Sequence, residues 1–236
     1  MAEFVGARCH VRDVLNNKAQ IFPVKKRSIK LKHIITIQHT QSVHHTNGMV
    51  GSWTDWELTD LGKKQADKIG KKLSEELREN LKDKKLVIYS SDLLRAKQTA
   101  EAVSKYFDIT PVFKQELRER NLGKCCGKSV QWLRENIECP EKTVDDRLFS
   151  DGESKRDAWN RLKPFFESVM ADECDIIIIV SHGDLLSHFN AMFLGMPVES
   201  LTNGDIHGLA GGVSHFIVSD DGKHFVKRIS DMSYTC

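Results

Sequence analysis

One run constrains this chain more than any other: "DIIIIV", Asp175 to Val180, followed directly by Ser-His-Gly-Asp. Five consecutive β-branched aliphatic residues leave no polar face to present to water. A strand of this kind has both faces covered, the situation of a central strand in a parallel sheet with helices on either side. The rest of the chain supplies the partners. Leu31 to Gln38 reads as a second buried strand, Leu86 to Tyr89 as a third, and Pro111 to Phe113 as a short fourth. Helical patterns lie between them. One starts at a Thr59 N-cap and runs to Leu81, with Ile69, Leu73, Leu77 and Leu81 on one stripe. Another is capped by Ser91 or Asp92 and carries Leu94, Val103 and Phe107. A third, Ser154 to Met170, turns Trp159, Leu162, Phe166 and Val169 inward and holds Pro164, a residue expected to kink or break it. A fourth follows the isoleucine run to Leu194 and stops at Gly195 and Pro197. Residues 122–150 read as irregular apart from a short helix, Val130 to Asn136. Gly212 to Ser219 and Phe225 to Ile229 form a hairpin around "SDDGK", which makes the sheet mixed. The expected fold is a three-layer α/β/α sandwich on a mostly parallel mixed sheet. Residues 31–236 form one domain behind a flexible extension, residues 1–30.

Charge narrows the partners. The chain has 35 basic and 33 acidic residues among 236, so neither nucleic acid nor an anionic membrane is indicated. No apolar run approaches the ~18 residues of a membrane span. Arg8, Arg12, Lys18 and the cluster Lys25-Lys26-Arg27 precede no apolar segment of signal-peptide type. The six cysteines show no C-x-x-C and no framework spacing, which suits free thiols in a reducing compartment. A cytoplasmic location is expected. The oligomeric state stays open, a homodimer among the options.

Three strands end in chemistry. The first ends at Gln38-His39-Thr40, the second at Ser90-Ser91-Asp92 with Arg95 one turn on, and the isoleucine run at Ser181-His182-Gly183-Asp184. In a parallel sheet these carboxyl ends face one crevice. Two of them open helices, whose free N–H groups attract anions, and Arg95 adds a guanidinium fork. A phosphoryl group fits such a site. Neutral imidazole attacks phosphorus without prior deprotonation, so a histidine there is a candidate nucleophile. Glu116 and Glu119 in "ELRERNLG" are both candidates for the acid that protonates a leaving oxygen, and spacing does not choose between them.

The ordered set "IQHTQS", "GSWTDWELTDLGKKQA", "SSDLLRAKQTA", "LRERNLGKCCG", "GES" and "VSHG" resembles the histidine phosphatase superfamily, which includes phosphoglycerate mutases. The resemblance spans Ile34 to the C-terminus and implies a phosphoglycerate mutase-like fold with no cofactor and no metal. It implies roles as well: His39 as the phosphate acceptor, Arg95 and His182 as phosphate ligands, and Glu119 as proton donor. Gln38, Thr40, Ser42, Asn47, Gly51, Ser52 and Gly183 form the expected substrate-binding set. Two positions depart from the family's Arg-His-Gly: Gln38 lacks the arginine's charge and Thr40 replaces the glycine. The expected activity is hydrolysis of a small phosphorylated metabolite or other phosphomonoester, peaking near or somewhat below neutral pH. Mutase-type transfer is an alternative, disfavoured by the short interval between Glu119 and His182. A non-catalytic phosphate-ligand binder is another. His44 and His45 read as loop residues near the substrate rather than metal ligands. Trp53 and Trp56 serve equally as substrate wall or loop packing, and Cys125 and Cys126 as inert thiols.

Overall fold

Isoleucines 176–179 occupy the strand that the sequence demands. The computed structural model describes residues 31–81 and 84–236, so the expected extension, residues 1–30, lies outside the described residues. The elements are β1 (Leu31–Gln38), α1 (His44–Asn47), α2 (Asp60–Leu81), β2 (Leu86–Ser91), α3 (Leu94–Ser104) and β3 (Val112–Lys114). They continue with α4 (Val130–Asn136), α5 (Lys155–Ala171), β4 (Ile176–Ser181), α6 (Gly183–Phe193), β5 (Val213–Ser219) and β6 (His224–Asp231). The sheet order is β3-β2-β4-β1-β5-β6. β1, β2, β3 and β4 run parallel, and β5 and β6 are antiparallel.

Alternation along the strands sends side chains to two cores. Ile34, Ile177, Ile179 and Phe216 meet α5 and α6 through Leu162, Val169, Phe189 and Phe193. Ile35, Ile37, Ile176, Ile178 and Val180 meet α2 and α3 through Ile69, Leu73, Leu77, Ala100 and Val103. Every residue of β4 is buried. Each such aliphatic side chain stabilises the fold by about 1.5–3 kcal/mol. Leu81, expected on the α2 stripe, lies outside the residues whose side chains are described. No described helix is long and apolar enough to cross a membrane.

Some local expectations differ from the structure. Pro164 does not break α5, which continues to Ala171. Pro164 and Asn160, whose carbonyl loses its intrahelical donor, both lie on the exposed face, where water can donate to that carbonyl. On the inner face Ala158 and Phe165 are buried, while Trp159 and Phe166 are only half-buried. Leu93, not Ser91 or Asp92, is the N-cap of α3; Ser91 Oγ instead accepts from Leu93 N at 3.3 Å. Phe107 follows that helix rather than belonging to it.

The turn after β1 is clamped to the start of α2. Thr59 Oγ1 caps α2 by accepting from Gly62 N at 3.0 Å, and Thr59 N donates to Gln41 O at 3.1 Å. A Cβ at Gly62 would lie 1.9 Å from Gln41 O, so this approach tolerates only glycine. Gly62→Ala is expected to lower the unfolding free energy in urea by at least the ~1–3 kcal/mol typical of overpacking. It should also move the amide resonances of Gln38 to Ser42.

Candidate active site

Parallel pairing places the three strand ends side by side. Gln38 is in register with Ser181, His39 N donates to Ser181 O at 2.9 Å, and β2 flanks β4 on its other side. A cavity of about 240 Å³ opens over these ends.

His39 is 3% exposed and lines the cavity. Its Nδ1 lies 2.9 Å from Thr40 O. A carbonyl only accepts, so Nδ1 carries the hydrogen and Nε2 keeps its lone pair. Arg95 Nε donates to that Nε2 at 3.1 Å. Burial, reinforced by the Arg95 charge, holds the His39 pKa well below its usual value, so the ring is neutral. Arg95 itself is almost fully buried, its pKa pushed down by burial to about 10 and its charge intact at neutral pH. Its two terminal nitrogens donate to Thr54 O at 2.8 Å and Ser52 O at 2.9 Å. The guanidinium is therefore held by the loop as well as by His39.

His182 is 0% exposed and stands edge-on to His39, ring centroids 5.1 Å apart, behind rather than on the cavity wall. Its Nε2 pairs with Ser91 Oγ at 2.8 Å, and its buried Nδ1 has no partner. Burial and then Arg95 depress its pKa too, so His182 is neutral here and does not lower the Glu119 pKa as a charged ring would.

Glu119 lines the cavity, whereas Glu116 lies exposed outside it. The Glu119 carboxylate accepts from Arg120 N at 3.0 Å, Leu185 N at 3.1 Å and Asp184 N at 3.4 Å, at the start of α6. These donors favour the anion, yet burial, helped by the neighbouring Asp184 charge, raises the Glu119 pKa. Burial also works to raise Asp184, but Arg120 outweighs it and keeps that carboxyl ionised. Arg120 is buried between Asp184, at 2.7 Å, and Glu141. Sequence reasoning missed Arg120, whose neighbours in the chain give it the pattern of a surface residue. It also missed Arg161, which donates to the carbonyls of Glu116, Arg118 and Glu119 and pairs with Glu153. Glu153, the centre of "GES", also accepts from Asn121 N at 2.8 Å, so this motif braces the Glu119 loop.

Gln38, Gly51, Ser52 and Gly183 line the cavity as expected, along with His44 and His45. Thr40, Ser42 and Asn47 do not. Thr40 is 0% exposed and its hydroxyl donates to Gly62 O at 2.8 Å, so it ties β1 to α2. Ser42 Oγ pairs with His44 Nδ1 at 2.6 Å, and exposed Asn47 accepts from Met49 N at 3.0 Å. Trp53 and Trp56 hold loops, their indole N–H groups on Glu119 O at 2.6 Å and Val50 O at 3.1 Å. Cys125 is buried, and Cys126 Sγ lies 3.2 Å from Ser52 Oγ.

Ring nitrogens of His39, His44 and His45 gather within 4.8 Å of one another, a separation a shared cation could bridge. The donor set fits poorly. The His39 lone pair already accepts from a guanidinium, whose charge would repel a metal ion, and no carboxylate or thiolate joins the group.

Residues 34–231 match the family model of the histidine phosphatase superfamily (branch 1). The chain is 29% identical to phosphoserine phosphatase 1 of Hydrogenobacter thermophilus over 175 residues, covering 70% of this chain and 78% of the relative. It is also 29% identical to a 2,3-bisphosphoglycerate-dependent phosphoglycerate mutase of Nitrobacter winogradskyi, covering 65% and 76%. Among solved structures, a mycobacterial glucosyl-3-phosphoglycerate phosphatase superposes with a TM-score of 0.71 at 20% identity, covering 85% of this chain and 99% of the other.

The Asp184 charge contributes to the raised pKa of Glu119. Asp184→Asn should therefore shift the Glu119 carboxyl titration to lower pH, read from side-chain carboxyl resonances.

Proposed function

The chain belongs to the histidine phosphatase superfamily, and on that premise we propose that it hydrolyses phosphomonoesters through a phosphohistidine on His39. One observation carries the reading: the Thr40 carbonyl fixes the His39 tautomer, so Nε2 is neutral and faces the cavity, its lone pair accepting from Arg95 Nε until the phosphoryl group draws that donor onto its own oxygens. Nε2 attacks phosphorus, the P–O ester bond breaks, and protonated Glu119 gives its proton to the departing oxygen. Positive charge on the phosphorylated ring is stabilised by the Nδ1–H bond to Thr40 O. A water molecule then attacks phosphorus, the P–N bond breaks, and the Glu119 carboxylate takes the water's proton. Phosphate leaves and the neutral imidazole returns. Arg95, the Gln38 amide and the start of α6 at Gly183 stabilise the transferring oxygens. His182 orients the His39 ring by edge contact from behind the cavity wall.

Charge in the cavity favours hydrolysis over mutase chemistry. A mutase has to hold a second anionic group on its substrate. Of the two arginines lining this cavity, Arg95 is held by the loop and His39, and Arg120 is neutralised by Asp184 and Glu141. Neither is free for a carboxylate or a second phosphate. A small phosphorylated metabolite with an uncharged leaving group suits these walls best.

His39→Ala should abolish phosphate release from aryl and alkyl phosphates. Glu119→Gln should slow alkyl phosphate hydrolysis by about 10²–10⁴-fold and nitrophenyl phosphate hydrolysis far less, because nitrophenolate departs without a proton. Equal losses on both substrates would remove Glu119 from the acid role. Conversion of 3- to 2-phosphoglycerate faster than hydrolysis would overturn the phosphatase reading in favour of a mutase. Ligand binding without turnover would favour a binder.

A further inference from the structure

A phosphomonoester dianion brings two negative charges into a cavity with little free positive charge. Arg95 already directs three of its donors to His39, Thr54 and Ser52. Arg120 is locked between two carboxylates, and Gln38 is neutral, its buried Oε1 without a partner. His44 and His45 stand on the same wall, ring centroids 5.8 Å and 5.3 Å from His39 and 4.0 Å from each other. His44 is half-buried and His45 exposed, and each ring is tethered through a nitrogen. His44 Nδ1 is held by Ser42 Oγ at 2.6 Å, and a Cβ at Gly51 would come within 2.8 Å of His44 Nε2. His45 Nδ1 accepts from Ser42 N at 3.2 Å, so its Nε2 carries the hydrogen in the neutral ring and is a donor.

We infer that His44 and His45 are phosphate-binding residues that take up protons as the dianion enters, supplying the positive charge that Gln38 does not. This rests on the phosphomonoester reading of the same site. The groups facing the pair are Arg95 from α3, His39 at the end of β1, Glu119 and Arg120 from the loop after β3, and Asp184 at the start of α6. Arg95 opposes protonation in the empty site. Asp184 is paired with Arg120, and the Glu119 carboxyl is engaged by the backbone N–H groups of Arg120, Asp184 and Leu185. Burial, then His45 and Arg95, pushes His44 down to about 3; burial and then Arg95 lowers His45. A dianion reverses the sign of the local field and raises both. For a group whose pKa rises on binding, affinity is greatest at low pH and is lost as pH climbs from the free to the bound pKa. The loss is up to about tenfold per pH unit for each proton taken up.

Sulfate is the probe, because it stays dianionic from mildly acidic to mildly alkaline pH and any proton uptake belongs to the protein. Calorimetric titration of the full chain in two buffers of different ionisation enthalpy counts the protons. Wild type should take up protons on binding sulfate, and its Kd should rise with pH. The double variant His44→Gln, His45→Gln should lose most of the uptake and show a flatter pH profile. Adding Gln38→Arg to it should restore affinity without restoring uptake. Sulfate binding without uptake, or uptake unchanged in the double variant, would overturn the proposal and leave the phosphatase reading standing. Failure of wild type to bind sulfate would overturn the anion site itself, and this proposal with it.

Discussion

In-register parallel pairing of β1 with β4 sets the distances on which the site depends. Gln38 opposite Ser181 brings His39 and His182 past the sheet edge together. A slip of one residue would turn every side chain of β1 to the other face. It would exchange the positions of Ile34 and Ile35 between the two cores, both of which are full. The hydrophobic pattern of two strands thus enforces the geometry of two histidines, and the apolar core determines where the proposed nucleophile stands.

Burial then sets the protonation states. His39 and His182 are neutral because water is excluded and Arg95 adjoins them. The same exclusion raises Glu119 despite three backbone N–H donors. Asp184 contributes twice. It neutralises Arg120, and its negative charge adds to the raised pKa of Glu119. A raised carboxyl pKa and a lowered imidazole pKa both move toward the neutral acid and neutral base that the proposed phosphoryl transfer uses.

Much of this was legible in the residues. Alternating strands and helices announced the layers, and the three strand ends announced His39, Arg95 and His182 as neighbours. Fold and family follow from an ordered set of short motifs. The remainder depended on long-range contacts that no spacing encodes. Thr40 follows His39 in the chain, yet its hydroxyl points to Gly62 in α2. Spacing leaves Glu116 and Glu119 open and the motif resemblance favours Glu119; the packing of this segment against α6 is what puts it in the cavity. Arg120 and Arg161 look like ordinary surface charges until their carboxylate and carbonyl partners are brought from distant segments. Pro164 was a breaker in sequence, but its position on the exposed face of α5 makes it tolerable.

The two unusual neighbours of His39 have separate explanations. Thr40 is structural: its hydroxyl donates to Gly62 O and anchors the turn after β1 to a helix start where only glycine fits at position 62. Gln38 bears on charge. Its amide lies against Gly183, where a Cβ would come within 3.2 Å of Nε2, so it sits at the start of α6 without adding a cation there. A fixed guanidinium at position 38 would lower the pKa of His39, His44 and His45 further, by the same repulsion that Arg95 already exerts. A neutral amide leaves His44 and His45 able to respond to the field of an incoming anion. Permanent charge at position 38 and titratable charge at positions 44 and 45 are therefore alternatives in this cavity, and this chain has the second.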